Sequence, residues 1–134
     1  KVFDINNTIV AENFKFSACH DGYKRLKGKI VHCREWSASE NSLEVIDKVT
    51  GNGEHKITSV LPLHPNIIVG NVQDNSVVLE IKGNKVKVNF KGEGLLQVLT
   101  SKYHSEFGLS IDNKQLVFNY NGSLPFKSNI KISW

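Results

Sequence analysis

The chain has 134 residues, of which 40% are hydrophobic and 22% are charged, and its 17 Lys and Arg against 13 Asp and Glu give a formal charge of +4. This length suits one domain with its own core, and the composition excludes an intrinsically disordered chain. No apolar run approaches the roughly 18 to 20 residues of a membrane-spanning helix, so no membrane partner is expected.

A basic loop between two strands is the first predicted element. If the chain folds back around residues 23–29, the flanking strands pair in a register that places polar and aromatic side chains on one face. The cross-strand pairs are Phe16 with Trp36, Ala18 with Arg34, and His20 with His32. Cys19 then lies opposite Cys33 on the other face, either as a disulfide or as two reduced, buried thiols.

The next strand, over residues 43–49, carries one carboxylate on its apolar face. Asp47 shares that face with Leu43, Val45 and Val49. Because an inward carboxylate needs a cation or several hydrogen-bond donors, we expect Arg34 or Arg25 to pair with it. Asp47 would then have the structural role of holding the basic hairpin in place. The alternative is that Asp47 is a catalytic acid or base.

Turn residues predict hairpins further along the chain. Gly51-Asn52-Gly53 joins strand 43–49 to strand 55–63, which is expected to end, bulge or reach a sheet edge at Pro62. Asn121-Gly122 is a hairpin signal after strand 115–120, and the closing strand over 130–134 is expected to point Ile130, Ile132 and Trp134 the same way.

The hairpin with the strongest alternation joins residues 77–82 to 85–90 through Gly83-Asn84. Folding the chain at that dipeptide predicts four pairs: Ile81 with Val86, Leu79 with Val88, Val77 with Phe90, and Glu80 with Lys87. Roughly ten short strands and no helix of ten residues predict an all-β fold, an antiparallel β-sandwich built from consecutive hairpins. We expect one sandwich domain over residues 1–134.

Several short motifs follow one another in the first half of the chain. They are His20-Asp21-Gly22-Tyr23-Lys24-Arg25-Leu26, His32-Cys33-Arg34, the Asp47 strand, Gly53-Glu54-His55, and Leu63-His64-Pro65. In this order they resemble the C-terminal region of the heparinase II/III family, where a His-Asp-Gly-Tyr turn, a His-x-Arg strand, an Asp-containing strand and a His-Pro element recur. The resemblance covers residues 18–65.

The resemblance implies that this is the C-terminal part of a longer bacterial polysaccharide lyase. Such enzymes break glycosidic bonds by β-elimination, with a base removing the C5 proton of a uronic acid. In the family, the Tyr, His and Asn that do this lie on a helical toroid and a central sandwich, and nothing here corresponds to the toroid. The resemblance therefore implies no catalytic residue and no cofactor in this chain, and a structural divalent metal of the parent would lie outside it.

The partners that the resemblance implies are the upstream catalytic domains of the same polypeptide and an acidic polysaccharide. The parent is expected to be periplasmic or secreted, although the N-terminus shows no signal-peptide pattern. Six residues are candidates for substrate binding: His20, Tyr23, Arg25, His32, Arg34 and Trp36. Arginine pairs with carboxylates and aromatic rings pack on sugar rings. The alternative is that Phe16 and Trp36 belong to the core while the polar members satisfy one another.

Metal binding, stand-alone carbohydrate binding and nucleic-acid binding are the alternative functions. A metal site at His20, His32, His55 and His64 is not predicted, because no pair has a typical ligand spacing, and two cysteines alone are too few for structural zinc. A stand-alone carbohydrate-binding module would use Trp36, Tyr23, Tyr103 or Tyr120 as platforms. A nucleic-acid-binding β-barrel fits the basic patches but lacks closely interleaved aromatic and basic residues, so nucleic acid is not favoured.

Overall fold

The computed structural model describes residues 1–134 and contains eleven β-strands and no helix. The strands are β1 (Val2–Val10), β2 (Asn13–His20), β3 (Val31–Ser39), β4 (Ser42–Thr50), β5 (Glu54–Pro62), β6 (Ile68–Val69), β7 (Ser76–Ile81), β8 (Asn84–Lys91), β9 (Leu95–Tyr103), β10 (Ile111–Ser123) and β11 (Phe126–Ser133). No helix capable of crossing a membrane is therefore present.

The strands form two antiparallel sheets. The large sheet has eight strands in the order β1-β2-β3-β4-β11-β8-β7-β6, and the small sheet has three in the order β5-β10-β9. The prediction of an all-β, antiparallel sandwich is confirmed. It is not built from consecutive hairpins throughout, because the chain crosses between the sheets several times.

The hydrophobic core lies between the small sheet and one half of the large sheet. Val77 and Val88 of the large sheet face Leu116 and Phe118 of β10, and none of the four is more than 2% exposed. Strands β7 and β8 alternate between more and less buried side chains because successive residues of a strand point to opposite faces. Strands β4, β11, β8 and β7 therefore form the covered half of the large sheet.

The other half of the large sheet is formed by β1, β2 and β3, and none of their residues is fully buried. These strands continue the hydrogen-bonded ladder beyond the area that the small sheet covers. One face of this half is therefore open, and we call it the open face; it carries His20, Phe14, Phe16, Trp36 and Arg34.

The predicted hairpin between residues 43–49 and 55–63 is wrong. β4 pairs with β3 and β11, whereas β5 pairs with β10 in the small sheet. The segment 51–53 crosses from one sheet to the other, and a Cβ on Gly51 would lie 2.8 Å from the Gly28 carbonyl oxygen. Glycine is required there for a close backbone approach rather than for a hairpin turn. β5 is an edge strand that ends at Pro62, as predicted.

The hairpin predicted at Asn121-Gly122 is also wrong. Both residues continue β10, where they pair with Lys56 and His55 of β5. The chain crosses to the large sheet after Ser123, and the closing strand runs over Phe126–Ser133. Ile130 points into the core while Trp134 lies beyond the strand and is 57% exposed, so these two side chains do not share an environment.

The β7–β8 hairpin is confirmed, but its register is shifted by two residues. Leu79 pairs with Val86, and Glu80 pairs with Lys85 rather than Lys87. The turn residues are Lys82 and Gly83, with φ values of 50° and 79°, as the tight hairpin turn with two left-handed residues requires. An even shift leaves every side chain on its predicted face.

Candidate functional site

Strands β2, β3 and β4 bring four polar side chains together at one end of the open face. His20 lies opposite His32, and Arg34 lies opposite Asp47 on the next strand. The predicted register across residues 16–36 is confirmed. On the other face of the same strands, Cys19 and Cys33 form a disulfide, which resolves the alternative left open by the sequence.

Asp47 is held by Arg34 in a bidentate ion pair. The Nε of Arg34 donates to Oδ1 of Asp47 at 2.6 Å, and its Nη2 donates to Oδ2 at 2.9 Å. Asp47 is 5% exposed, so the pair replaces water around a buried carboxylate. The predicted pairing with Arg34 is confirmed. Arg25 is not a partner, because it lies exposed in the loop after β2 while Arg34 projects directly beside Asp47.

His32 is a second partner of Asp47 that sequence reasoning did not identify. Its Nε2 lies 2.6 Å from Oδ1 of Asp47, and its Nδ1 lies 3.1 Å from Nε2 of His20. The amide of Gly22 donates to Nδ1 of His20 at 3.3 Å. The sequence contained a signal for this contact, since His32 and Arg34 are two residues apart and therefore lie on the same face of a strand, beside Asp47.

The direction of each hydrogen bond follows from the Gly22 amide, which can only donate. Nδ1 of His20 must accept, so Nε2 of His20 carries the proton and donates to Nδ1 of His32. Nε2 of His32 then donates to Asp47. We call this chain of side chains, completed by Arg34, the His–Asp–Arg network. With both histidines neutral, it satisfies each ring nitrogen and both carboxylate oxygens.

The network shifts the pKa values of two of its members. Burial alone would raise the pKa of Asp47, but hydrogen bonds from His32 and Arg34, together with the Arg34 charge, hold it below the ordinary value. Burial is the main cause that lowers the pKa of His20, and the nearby His32 lowers it further. Asp47 is therefore ionised and His20 is neutral at neutral pH.

Aromatic rings surround this network on the open face. The Tyr23 ring lies 5.1 Å from that of His20, and the Arg34 guanidinium lies 5.8 Å from the centre of the Trp36 ring. Phe16 and Trp36 are 5.3 Å apart, and both are only partly buried and lie outside the core. Of the six predicted site residues, the structure thus brings together all but Arg25.

A cleft of about 250 Å³ adjoins the network where the large sheet faces β5. Its polar side is lined by His32, Arg34, Asp47 and Ser128. The remaining wall residues are Tyr23, Leu26, Ile30, Val49, His55, Lys56, Ile57, Thr58, Ser59, Phe118 and Phe126. Ser128 is 2% exposed and its hydroxyl has no hydrogen-bond partner in the protein. The sequence analysis did not identify this serine.

The other aromatic and histidine candidates lie elsewhere. Tyr120 is buried, and its hydroxyl donates to the Ser123 carbonyl, so it is not available as a platform. Tyr103 packs against His64 at the end of β9. The structure holds no group of three or more His, Cys, Asp or Glu side chains arranged to bind a metal ion.

Comparison with known proteins gives one family and a set of similar folds. The model of a family described as heparinase II/III-like, C-terminal, matches residues 3–134. The structure of heparan sulfate lyase HepC from Pedobacter heparinus superimposes with a TM-score of 0.81 at 14% identity, over 99% of this chain and 22% of that one. A heparinase III structure gives 0.80 at 14% identity, over 99% and 21%.

A further heparinase III gene product gives a TM-score of 0.79 at 11% identity, over 96% of this chain and 21% of that one. The chain thus spans about a fifth of the length of the structures that it matches. At these low sequence identities, the structural similarity shows a shared fold only. No curated protein matches the chain by sequence.

Proposed function

Because the chain belongs to the heparinase II/III-like C-terminal family, we propose that it is a non-catalytic domain of a longer polysaccharide lyase. In this proposal it scaffolds the upstream catalytic domains of the same polypeptide and contacts acidic glycan through the open face. The parent reaction would be β-elimination on a uronic-acid-containing polysaccharide.

One observation carries the proposal: the groups of the His–Asp–Arg network that could act as a base are already hydrogen-bonded within the protein. β-Elimination needs a base that can reach a C–H proton and an acid that can reach the leaving oxygen. Asp47 accepts from His32 and Arg34, and its lowered pKa makes it a weak base. Each ring nitrogen of His20 and His32 is already hydrogen-bonded. The network therefore supports a structural role.

Exposed apolar side chains support a scaffolding role for the first two strands. On β1, Ile5 is 61% and Ile9 is 73% exposed, and on β2, Phe14 is 40% exposed. Val2 and Val10 of β1 are exposed as well. Ile9 and Phe14 are cross-strand partners, and an exposed apolar patch marks an interaction site. We propose that the upstream domains of the same polypeptide cover these apolar side chains.

The charge and aromatic groups beside the network support contact with an acidic glycan. Nη1 of Arg34 makes no hydrogen bond within the protein, and the guanidinium lies near Trp36. The adjoining loop adds four exposed cations, Lys24, Arg25, Lys27 and Lys29. A cation beside an aromatic ring suits a carboxylate-bearing sugar, since the cation pairs with the carboxylate while the ring packs on the sugar.

The disulfide bears on the compartment of the parent. Disulfides persist in oxidising environments such as the periplasm and the cell exterior and are rare in the cytosol. The Cys19–Cys33 bond thus supports a periplasmic or secreted parent. A divalent metal in the parent would be held by residues outside this chain.

The proposal is tested by titrating the purified chain with heparin, alginate and single-stranded DNA at two salt concentrations. We expect salt-dependent binding to the acidic glycans, weaker binding to DNA at equal charge, and no release of unsaturated uronate ends. Trp36→Ala and Arg25→Ala are expected to weaken glycan binding, whereas Lys85→Ala, an exposed residue of β8 in the covered half, serves as the charge-matched control. Unsaturated products from the chain alone, or an equal loss with Lys85→Ala, would contradict the proposal.

A further inference from the structure

The cleft beside the His–Asp–Arg network has the size and the walls of a small binding site. Its volume of about 250 Å³ lies below the roughly 300–1,000 Å³ typical of pockets for drug-sized ligands, so it suits one ring rather than an oligosaccharide. One side is polar and the other is formed by Ile57 of β5 and by Phe118 and Phe126. Tyr23 and Lys56 are exposed residues of its wall.

Ser128 is the observation that points to a ligand. This residue lies opposite Asp47 on the neighbouring strand β11 and lines the same cleft. It is 2% exposed, and its Oγ has no partner in the protein. Buried hydroxyl groups in folded proteins are nearly always hydrogen-bonded, so this hydroxyl is available to a polar group that enters the cleft.

The hydrogen-bonding capacity around Ser128 favours a ligand that both donates and accepts. Oδ2 of Asp47 accepts a single bond from Arg34, although a carboxylate oxygen has room for another donor. The Ser128 hydroxyl can donate and accept, and Nη1 of Arg34 can donate. The ionised Asp47 repels a second carboxylate at this depth. Sugar hydroxyl groups match this set, and a carboxylate does not.

We propose that the cleft binds one sugar unit of the glycan through two neighbouring hydroxyl groups. One hydroxyl donates to Oδ2 of Asp47 and the other exchanges hydrogen bonds with Ser128, while a C–H face of the ring packs against Phe118 and Phe126. A carboxylate on the same sugar stays at the mouth, near Lys56. This site deepens the proposed glycan contact and rests on it.

The site is tested with a monosaccharide and a matched ring that lacks hydroxyl groups. The amide spectrum of the chain is titrated with methyl glucuronide and, separately, with cyclohexanecarboxylate, which has the same charge and ring size. We expect methyl glucuronide to shift the amides of Asp47, Ser128 and Ile57 in a saturable way, and cyclohexanecarboxylate to leave them unchanged. Ser128→Ala is expected to weaken the binding about five- to tenfold by removing one hydrogen bond.

The controls separate this site from the proposed function. Ser105→Ala, in the exposed loop after β9, is the matched control and should leave the affinity unchanged. Equal binding of cyclohexanecarboxylate, no saturable shifts, or unchanged affinity of Ser128→Ala would overturn the cleft site. Heparin binding that persists in that case leaves the glycan contact of the open face standing. If the chain binds methyl glucuronide but not heparin, only the glycan contact of the open face is overturned.

Discussion

The two halves of the large sheet share one hydrogen-bonded ladder but are stabilised in different ways. In the covered half, side chains such as Val77 and Val88 are buried against β10. In the open half, the strands are joined by the Cys19–Cys33 disulfide and the His–Asp–Arg network. The difference shows that a strand extending past the core can be held by covalent and ionic links where burial is incomplete, which leaves its face available to a partner.

The largest expected effect tests the contrast in burial directly. Phe118→Ala in the core is expected to lower the free energy of unfolding by about 3–5 kcal/mol, because it removes a buried ring and leaves a cavity. Phe16→Ala on the open face removes only a half-buried aromatic pair and is expected to cost about 1 kcal/mol. Urea denaturation of both variants measures the difference. Equal losses would show that the open face is as well packed as the core.

An intermediate effect is expected from breaking the ion pair between the halves. Arg34→Ala leaves the buried Asp47 carboxylate with His32 as its only side-chain partner and should cost about 2–3 kcal/mol, less than a fully buried pair because Arg34 is partly exposed. The double variant Arg34→Ala/Asp47→Ala should recover much of this loss, since no charge remains buried. A double variant that is less stable than the single one would contradict this expectation and show that Asp47 stabilises the fold through His32 even without Arg34.

The smallest effect is a dependence of stability on pH. The folded pKa values of His20 and Asp47 both lie below their ordinary values, so the unfolded chain binds more protons and the protein loses stability as the pH is lowered. The contribution of His20 is complete above the ordinary histidine pKa of 6.5 and is lost below it, and that of Asp47 begins to be lost below 3.8. Thermal melting between pH 8 and pH 5 should show the first step.

The control for this step is His20→Gln, which removes the titrating ring and keeps a polar side chain. The difference in melting temperature between the wild type and His20→Gln should shrink as pH falls from 8 to 5. A difference that is constant or grows over that range would contradict the assignment of the step to His20.

Local patterns were sufficient where the pairing strands are close in sequence. Strict alternation and a short basic loop predicted that His20 meets His32 and that Arg34 can reach Asp47, because each contact lies between strands adjacent in both sequence and space. The same locality explains why the β7–β8 hairpin was identified. The predicted register of this hairpin differs from the observed one by two residues, since both Lys82-Gly83 and Gly83-Asn84 could have formed the turn.

The sequence by itself determined the all-β class, the polar register of β2 and β3, and the family, since alternation and ordered short motifs are local properties. Only the tertiary structure decided which strands follow a turn into the same sheet and which cross to the other. Asn121-Gly122 favours chain reversal, yet it stays extended because both residues pair with β5, at Lys56 and His55. The cleft and the unpartnered Ser128 arise in the same way: they exist only because two sheets assembled from distant segments face each other.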